Sequence, residues 1–114
     1  MKNTITYKNY VGSVEFSEED MCFCGKLLGI TPLIMYEGKT AEELVNDFHN
    51  AVDEYCELCE REGKNPEIPY KGNTNVRLKP STHKRAAIYA YNHETTLNNV
   101  IEESVVFYLA AKMA

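Results

Sequence analysis

The last segment of the chain is a predicted helix that is too apolar to remain exposed on one small domain. Between residues 97 and 109, apolar residues recur at helical spacing, and Thr96 suits the N-cap position. Val106, Phe107 and Ala110 widen the apolar surface, so the helix must be buried on more than one side. The short segment before it cannot cover that surface within one chain. The sequence therefore predicts a dimer.

The two halves of the chain carry opposite formal charge. Residues 1–70 contain 6 Lys and Arg against 14 Asp and Glu, a net charge of −8. Residues 71–114 contain 6 against 3, a net charge of +3. This sign change suggests two partners, a polyanion such as DNA for the basic half and a basic protein for the acidic half. Charge alone leaves open that both halves are simply solvated.

The composition is that of a soluble globular protein with one ordinary domain or two very small ones. Hydrophobic residues make up 44% and charged residues 25% of the 114 residues. The chain has no apolar run of membrane-spanning length, and residues 1–10 lack the apolar core of a signal peptide. We therefore expect a cytoplasmic protein with no membrane partner, whose four cysteines are reduced.

Alternating apolar and polar residues predict strands in the acidic half. The predicted strands cover residues 3–8, 10–16 and 21–30, and a short fourth strand covers residues 33–36. Gly25 and Gly29 lie in the predicted third strand, where they indicate a bulge or a close backbone approach.

One long helix follows these strands. Thr40 and Glu43 fit a capping box in which the glutamate returns to the Thr40 amide, and Gly63 suits the position just after the helix. These signals predict a helix over residues 40–62. The glycines and prolines of residues 63–73 predict a linker between the halves.

The basic half has the element order of a ribbon-helix-helix. Residues 74–79 alternate strictly, which predicts a strand ended by Pro80. Ser81 suits the N-cap of a helix over residues 82–92, and Thr96 suits that of the final helix. In ribbon-helix-helix proteins, two chains pair their strands into an antiparallel ribbon that enters the major groove of DNA.

The predicted strand supplies side chains suited to base edges. Val76 and Leu78 would face the core, while Asn75, Arg77 and Lys79 would face outward. Asn pairs well with adenine, and Arg or Lys with guanine. An ordinary strand with one solvated polar face is the alternative interpretation.

Further positions suit the DNA backbone. The start of the last helix, at Thr96 and Asn98, would offer backbone N–H groups to a phosphate. Lys71, Lys84 and Arg85 would add phosphate contacts. The predicted DNA-binding residues are Asn75, Arg77, Lys79, Thr96 and Asn98.

Short motifs along almost the whole chain occur in an order typical of one known family. They are residues 7–17, 23–30, 48–55, 63–67, 75–80 with His83, and 96–98. In this combination the chain resembles the HicB family of antitoxins. The family commonly has Ser where this chain has Thr96, and either residue can cap a helix.

The resemblance implies an α+β fold in two parts. Residues 1–70 would form a partial ribonuclease-H-like domain of strands and one helix that blocks a small basic mRNA-cleaving toxin, HicA. Residues 71–114 would form the dimeric ribbon-helix-helix that represses the operon. The family's toxin contacts form no short motif that maps onto this chain. A stand-alone regulator without a toxin is the alternative, and pairing of dimers into tetramers is left open.

Catalysis and metal binding fit the sequence less well. A ribonuclease-H-type site needs several carboxylates that converge on metal ions, yet only Glu15 lies in mid-strand, and Asp20 lies in a turn. Zinc could be held by four thiolates, but Cys59 lies on the apolar stripe of the helix with Cys56 beside it. We therefore predict no enzyme activity, cofactor or metal.

The histidines have ordinary interpretations as well. His49 lacks a Cys or His partner at ligand spacing, which favours a solvent-facing helix position. His83 lies in the first turn of its predicted helix, where packing or a phosphate contact suffices. Neither histidine indicates a nucleophilic triad.

Overall fold

The chain forms two compact units, and the boundary between them in the sequence falls between residues 73 and 74. A computed structural model describes residues 3–113. We call the part up to residue 73 the sheet unit and the part from residue 74 the helical unit. Over residues 3–113 the architecture is α+β, as predicted, and it consists of a four-stranded antiparallel sheet and three helices. Within residues 3–113, no helix is long and apolar enough to span a membrane.

The sheet is a meander in which each strand pairs with the next. The strands are β1 (Asn3–Tyr7), β2 (Tyr10–Ser17), β3 (Cys22–Leu28) and β4 (Met35–Gly38). All pairs are antiparallel, in the order β1-β2-β3-β4. The four predicted strands are confirmed with small shifts at their ends. Alternation predicts them well because one face of the sheet is buried.

Helix α1 (Ala41–Arg61) begins and ends at the predicted signals. The Thr40 hydroxyl accepts a hydrogen bond from the Glu43 N–H at 3.1 Å. The Glu43 carboxylate accepts from the Lys39 N–H at 2.8 Å, so the prediction that it returns to the Thr40 amide is wrong by one residue. Gly63 has φ 69°, and its N–H donates to the Glu60 carbonyl, as in a Schellman motif.

The core of the sheet unit lies between α1 and one face of the sheet. The apolar stripe of α1 packs against buried side chains from the strands. The buried residues are Tyr10, Leu27, Tyr36, Leu44, Phe48, Val52, Tyr55 and Cys59.

Two glycines make room for Tyr36 in this core. A side-chain carbon at Gly12 would overlap the Tyr36 hydroxyl, and one at Gly25 would lie 2.8 Å from its ring. The hydroxyl donates a hydrogen bond to the Ser13 carbonyl at 2.7 Å. The close approach predicted at Gly25 is therefore confirmed.

The helical unit contains α2 (Pro80–Asn92) and α3 (Leu97–Met113). Pro80 occupies the first turn of α2 and Lys79 is the N-cap, so the prediction of Ser81 as the cap is wrong. Proline suits this place because its fixed φ is helical and its missing N–H would be unpaired there anyway. The Thr96 cap is confirmed, because its hydroxyl accepts from the Asn99 N–H at 3.1 Å.

Residues 74–79 form no strand within the single chain, contrary to the sequence prediction. A strand exists only where its N–H and C=O groups pair with a neighbouring strand, and the predicted neighbour is a second copy. Val76 is 57% exposed, whereas Leu78 is half-buried. The predicted inward face is thus only partly covered within one chain.

Candidate nucleic-acid interface

Three of the five predicted DNA-binding residues lie on the extended segment before α2. Asn75, Arg77 and Lys79 are all exposed. Lys79 also has an extended backbone (φ −63°, ψ 145°), and its carbonyl accepts the first bond of α2 from the His83 N–H at 2.9 Å. The segment thus presents polar and basic side chains to solvent directly ahead of a helix N-terminus.

The other two predicted residues lie at the start of α3. The Thr96 hydroxyl is engaged in capping, and the Thr96 carbonyl accepts from the Val100 N–H at 3.1 Å. The N–H groups of residues 97 and 98 precede these bonds, so the helix can offer them to an anion. Asn98 itself is exposed. No hydrogen bond in the described part of the chain joins these two residues to the segment before α2.

The basic residues expected to contact phosphates are also exposed. Lys71 precedes the helical unit, and Lys84 and Arg85 lie in the first turns of α2. His83 is exposed beside them, as the interpretation of a packing or phosphate-contacting residue allows. The N-terminal part of the helical unit therefore carries several exposed cationic side chains near the segment predicted to contact bases.

The helices of this unit leave a large apolar surface uncovered. No residue of α3 is buried, and Ala90 is the one buried residue of α2. Phe107 and Met113 are each 78% exposed. Other exposed apolar side chains are Val76, Ile88, Tyr89, Tyr91, Val105, Val106, Tyr108 and Leu109. A patch of this kind on a small unit marks an interaction surface.

The sheet unit presents acidic side chains instead. Glu54, Glu57 and Glu60 lie exposed along the outer side of α1. Asp53 is paired, because its carboxylate lies 2.8 Å from the Lys8 ammonium and accepts from the Tyr7 hydroxyl at 3.2 Å. These bonds lower the pKa of the Asp53 carboxyl, and the hydrogen bond from Lys8 has the largest effect. The unit thus offers an acidic surface to solvent.

The acids of the sheet do not assemble into a metal centre. Glu15 lies across from Cys24 in the sheet register, and the Asp20 carboxylate accepts from the Ser17 hydroxyl at 3.3 Å. In the described part of the chain, no three His, Cys, Asp or Glu side chains are placed to hold a metal ion.

The cysteines are free thiols spread over two elements. Cys22 and Cys24 on β3 and Cys56 on α1 are half-buried, while Cys59 is buried in the core. Partial burial is the largest cause that raises the pKa of the Cys22 thiol, and the nearby carboxylates raise it further.

Sequence reasoning missed two acidic residues that organise the sheet unit. The Asp47 carboxylate accepts from the Glu37 N–H at 2.8 Å at the edge of β4. Glu67 lies in the segment predicted as a linker, and it forms hydrogen bonds with Thr31 and with two tyrosines. The only local signal for Glu67 is its position between Pro66 and Pro69, which restrict the backbone.

Comparison with known proteins supports one family. The model of the HicB family matches residues 55–105, which run from the end of α1 through the segment before α2 into α3. No curated protein and no solved structure matches the chain. Over residues 55–105, therefore, the chain is similar to the HicB family.

Proposed function

We propose that the chain is the antitoxin of a type II toxin–antitoxin pair. The sheet unit neutralises a small basic mRNA-cleaving toxin of the HicA type, and the helical unit binds operator DNA as a dimer and represses the operon. The observation that carries the proposal is the HicB match over residues 55–105, because HicB is an antitoxin family. Such proteins act by binding, so no catalytic step is assigned.

The exposed surface of the helical unit supports a ribbon-helix-helix dimer. If residues 74–79 of two copies pair as antiparallel strands, their backbone groups gain partners and Val76 becomes covered. The exposed faces of α2 and α3 are apolar enough to pack against a second copy. Two copies would then direct six outward side chains, from Asn75, Arg77 and Lys79, into the major groove.

The charge of each half fits the partner proposed for it. The +3 charge of residues 71–114 attracts DNA, whereas the −8 charge of residues 1–70 repels it. An acidic surface favours encounter with a basic protein. Glu54, Glu57 and Glu60 form an exposed acidic row on α1 that suits such a partner.

A stand-alone transcriptional regulator is the second candidate function. A regulator would use the same helical unit. The exposed apolar faces of α2 and α3 support the regulator function as strongly as they support the antitoxin function. A short basic open reading frame next to this gene, whose product binds the chain in calorimetry, would support the antitoxin. Absence of any such neighbour would support the regulator.

The substitution Arg77→Ala tests the DNA-binding part of the proposal. We expect a loss of about 1–3 kcal/mol in operator-binding free energy per contact, because a good pairing with a base is removed. The fold should persist, since Arg77 is exposed. Fluorescence anisotropy with the DNA upstream of the gene measures the loss.

Arg61→Ala is the matched control, because it removes an exposed arginine from the sheet unit. It should bind DNA as the parent does. An Arg77→Ala protein with parental affinity would show that the ribbon is assigned to the wrong residues.

A further inference from the structure

The segment that follows α1 is held onto the sheet unit at Glu67. The Glu67 N–H donates to the Tyr55 hydroxyl at 3.0 Å, and the Glu67 carbonyl accepts from the Tyr10 hydroxyl at 3.0 Å. Its carboxylate oxygen Oε1 accepts from the N–H of Thr31 at 3.0 Å and from its hydroxyl at 2.9 Å. One residue thus makes four hydrogen bonds.

The three partners of Glu67 come from three different elements. Tyr10 begins β2, Tyr55 lies on α1, and Thr31 lies in the connection between β3 and β4. The rings of Tyr10 and Tyr55 are buried and meet edge-on, with centroids 6.1 Å apart. Release of Glu67 would remove a partner from each tyrosine hydroxyl at the edge of the core, which opposes release.

The neighbours of Glu67 support the same attachment. Pro66 and Pro69 are half-buried and restrict the backbone on both sides. A side-chain carbon at Gly29 would lie 2.8 Å from Cζ of Tyr70, so the Tyr70 ring lies directly against this glycine. Beyond Tyr70, residues 71–79 form no helix or strand, and all but Leu78 are exposed.

We infer that residues 64–70 are a strap, fastened by Glu67, that belongs to the fold of the sheet unit and leaves residues 71–73 as the tether to residues 74–79, which pair in the proposed dimer. The strap sets the length of this tether. A tether of about 3 residues reaches at most about 10 Å, whereas release of the strap would lengthen it to about 10 residues and about 35 Å. A shorter tether raises the effective concentration of one unit near the other's ligand.

Limited digestion of the full chain with trypsin, followed by mass spectrometry, tests the strap. Lys64 begins the strap with a side chain that is 72% exposed, so slow cleavage there reports a held backbone rather than a hidden side chain. Lys71 is exposed and lies in the tether, outside residues 74–79. We expect cleavage after Lys71 to be at least about tenfold faster than after Lys64, because cleavage requires local opening.

Glu67→Ala should raise the rate of cleavage after Lys64 by about tenfold and leave cleavage after Lys26 in β3 unchanged. Glu67→Gln keeps an acceptor for Thr31. Its rate of cleavage after Lys64 should therefore lie between the rates of the parent and of Glu67→Ala. Thr31→Val, a milder change, removes the hydroxyl but keeps the N–H and should raise the rate by about threefold. Glu60→Ala removes an exposed acid from α1 and should change nothing.

Two results would overturn the inference. The first is parental cleavage after Lys64 as fast as cleavage after Lys71. The second is a Lys64 rate that Glu67→Ala and Thr31→Val leave unchanged, or that rises only together with the Lys26 rate. A joint rise would show that Glu67 supports the whole sheet unit rather than a separate strap.

Discussion

Replacement of Gly12 by alanine should destabilise the sheet unit strongly, because the new methyl group has no space. It would overlap the Tyr36 hydroxyl and lie 2.8 Å from Cε1 of Phe48. Neither ring can move outward freely, since Tyr36 is 3% exposed and Phe48 is fully buried. Overpacking of this kind costs about 1–3 kcal/mol.

The displaced tyrosine adds to that cost. Movement of Tyr36 would weaken its 2.7 Å hydrogen bond to the Ser13 carbonyl, which contributes about 1 kcal/mol. Alanine recovers about 0.5–1 kcal/mol over glycine in a strand. We therefore expect Gly12→Ala to lower the free energy of unfolding by about 1–3.5 kcal/mol.

Urea denaturation followed through the NMR amide signals of the sheet unit measures this loss, since the two units need not unfold together. The double variant Gly12→Ala/Tyr36→Phe should lose less than the sum of its single variants, because it lacks the oxygen that the methyl group overlaps. Gly63→Ala is the control: nothing lies within 4 Å of its new carbon, and its φ of 69° costs only about 1 kcal/mol. Gly12→Ala with parental stability, or strictly additive losses, would refute this packing.

Other predictions concern the turn after α2 and the ion pair of Asp53. Glu94 has φ 54° just after α2, so Glu94→Gly should stabilise the helical unit by about 1 kcal/mol in thermal unfolding; an unchanged melting temperature would contradict the strain. The hydrogen bond from Lys8 is the largest of the causes that lower the pKa of the Asp53 carboxyl. The stability that the ionised carboxylate contributes is therefore fully present above the unfolded pKa of 3.8, and it is lost as pH falls through the folded pKa. Asp53→Asn should therefore be less stable than the parent at pH 7, and the difference should shrink below about pH 4; a constant difference would argue against the pair. The pKa of Lys8 is raised. The stability that its ammonium group contributes should therefore be fully present below the usual pKa of 10.5 and be lost as pH rises through the higher folded pKa.

The elements predicted best from the sequence are those that local signals define. Helix α1 has a Thr40 cap, an apolar stripe and Gly63 after its end, and each signal acts within a few residues. The strands β1 to β4 alternate because one sheet face is buried, so the periodicity is strong enough to locate them. Their exact ends depend on pairing and were less predictable.

Other features depend on partners that are distant in the sequence. Pro80 is compatible with the end of a strand and with the start of a helix, and only the structure chooses between them. Glu67 bonds to residues 12, 36 and 57 positions away, a relation that no local pattern encodes. Residues 74–79 form no strand in one chain. The predicted ribbon would require a second chain as its partner.

The predicted interface follows the same division. The Thr96 cap is a local feature and could be predicted from the sequence. Asn75, Arg77, Lys79 and Asn98 would be grouped only in the proposed dimer. The functional prediction therefore relies on the HicB match and on the charge and apolar surface of the helical unit.

Binding of the purified full chain to the DNA upstream of its own gene, measured over a salt series, tests the central proposal most directly. We predict specific binding whose affinity falls steeply as salt rises, because exposed Lys and Arg side chains would displace counterions from phosphates. Absence of binding at every salt concentration, both for the chain alone and with the neighbouring basic protein added, would contradict the proposal of a DNA-binding antitoxin.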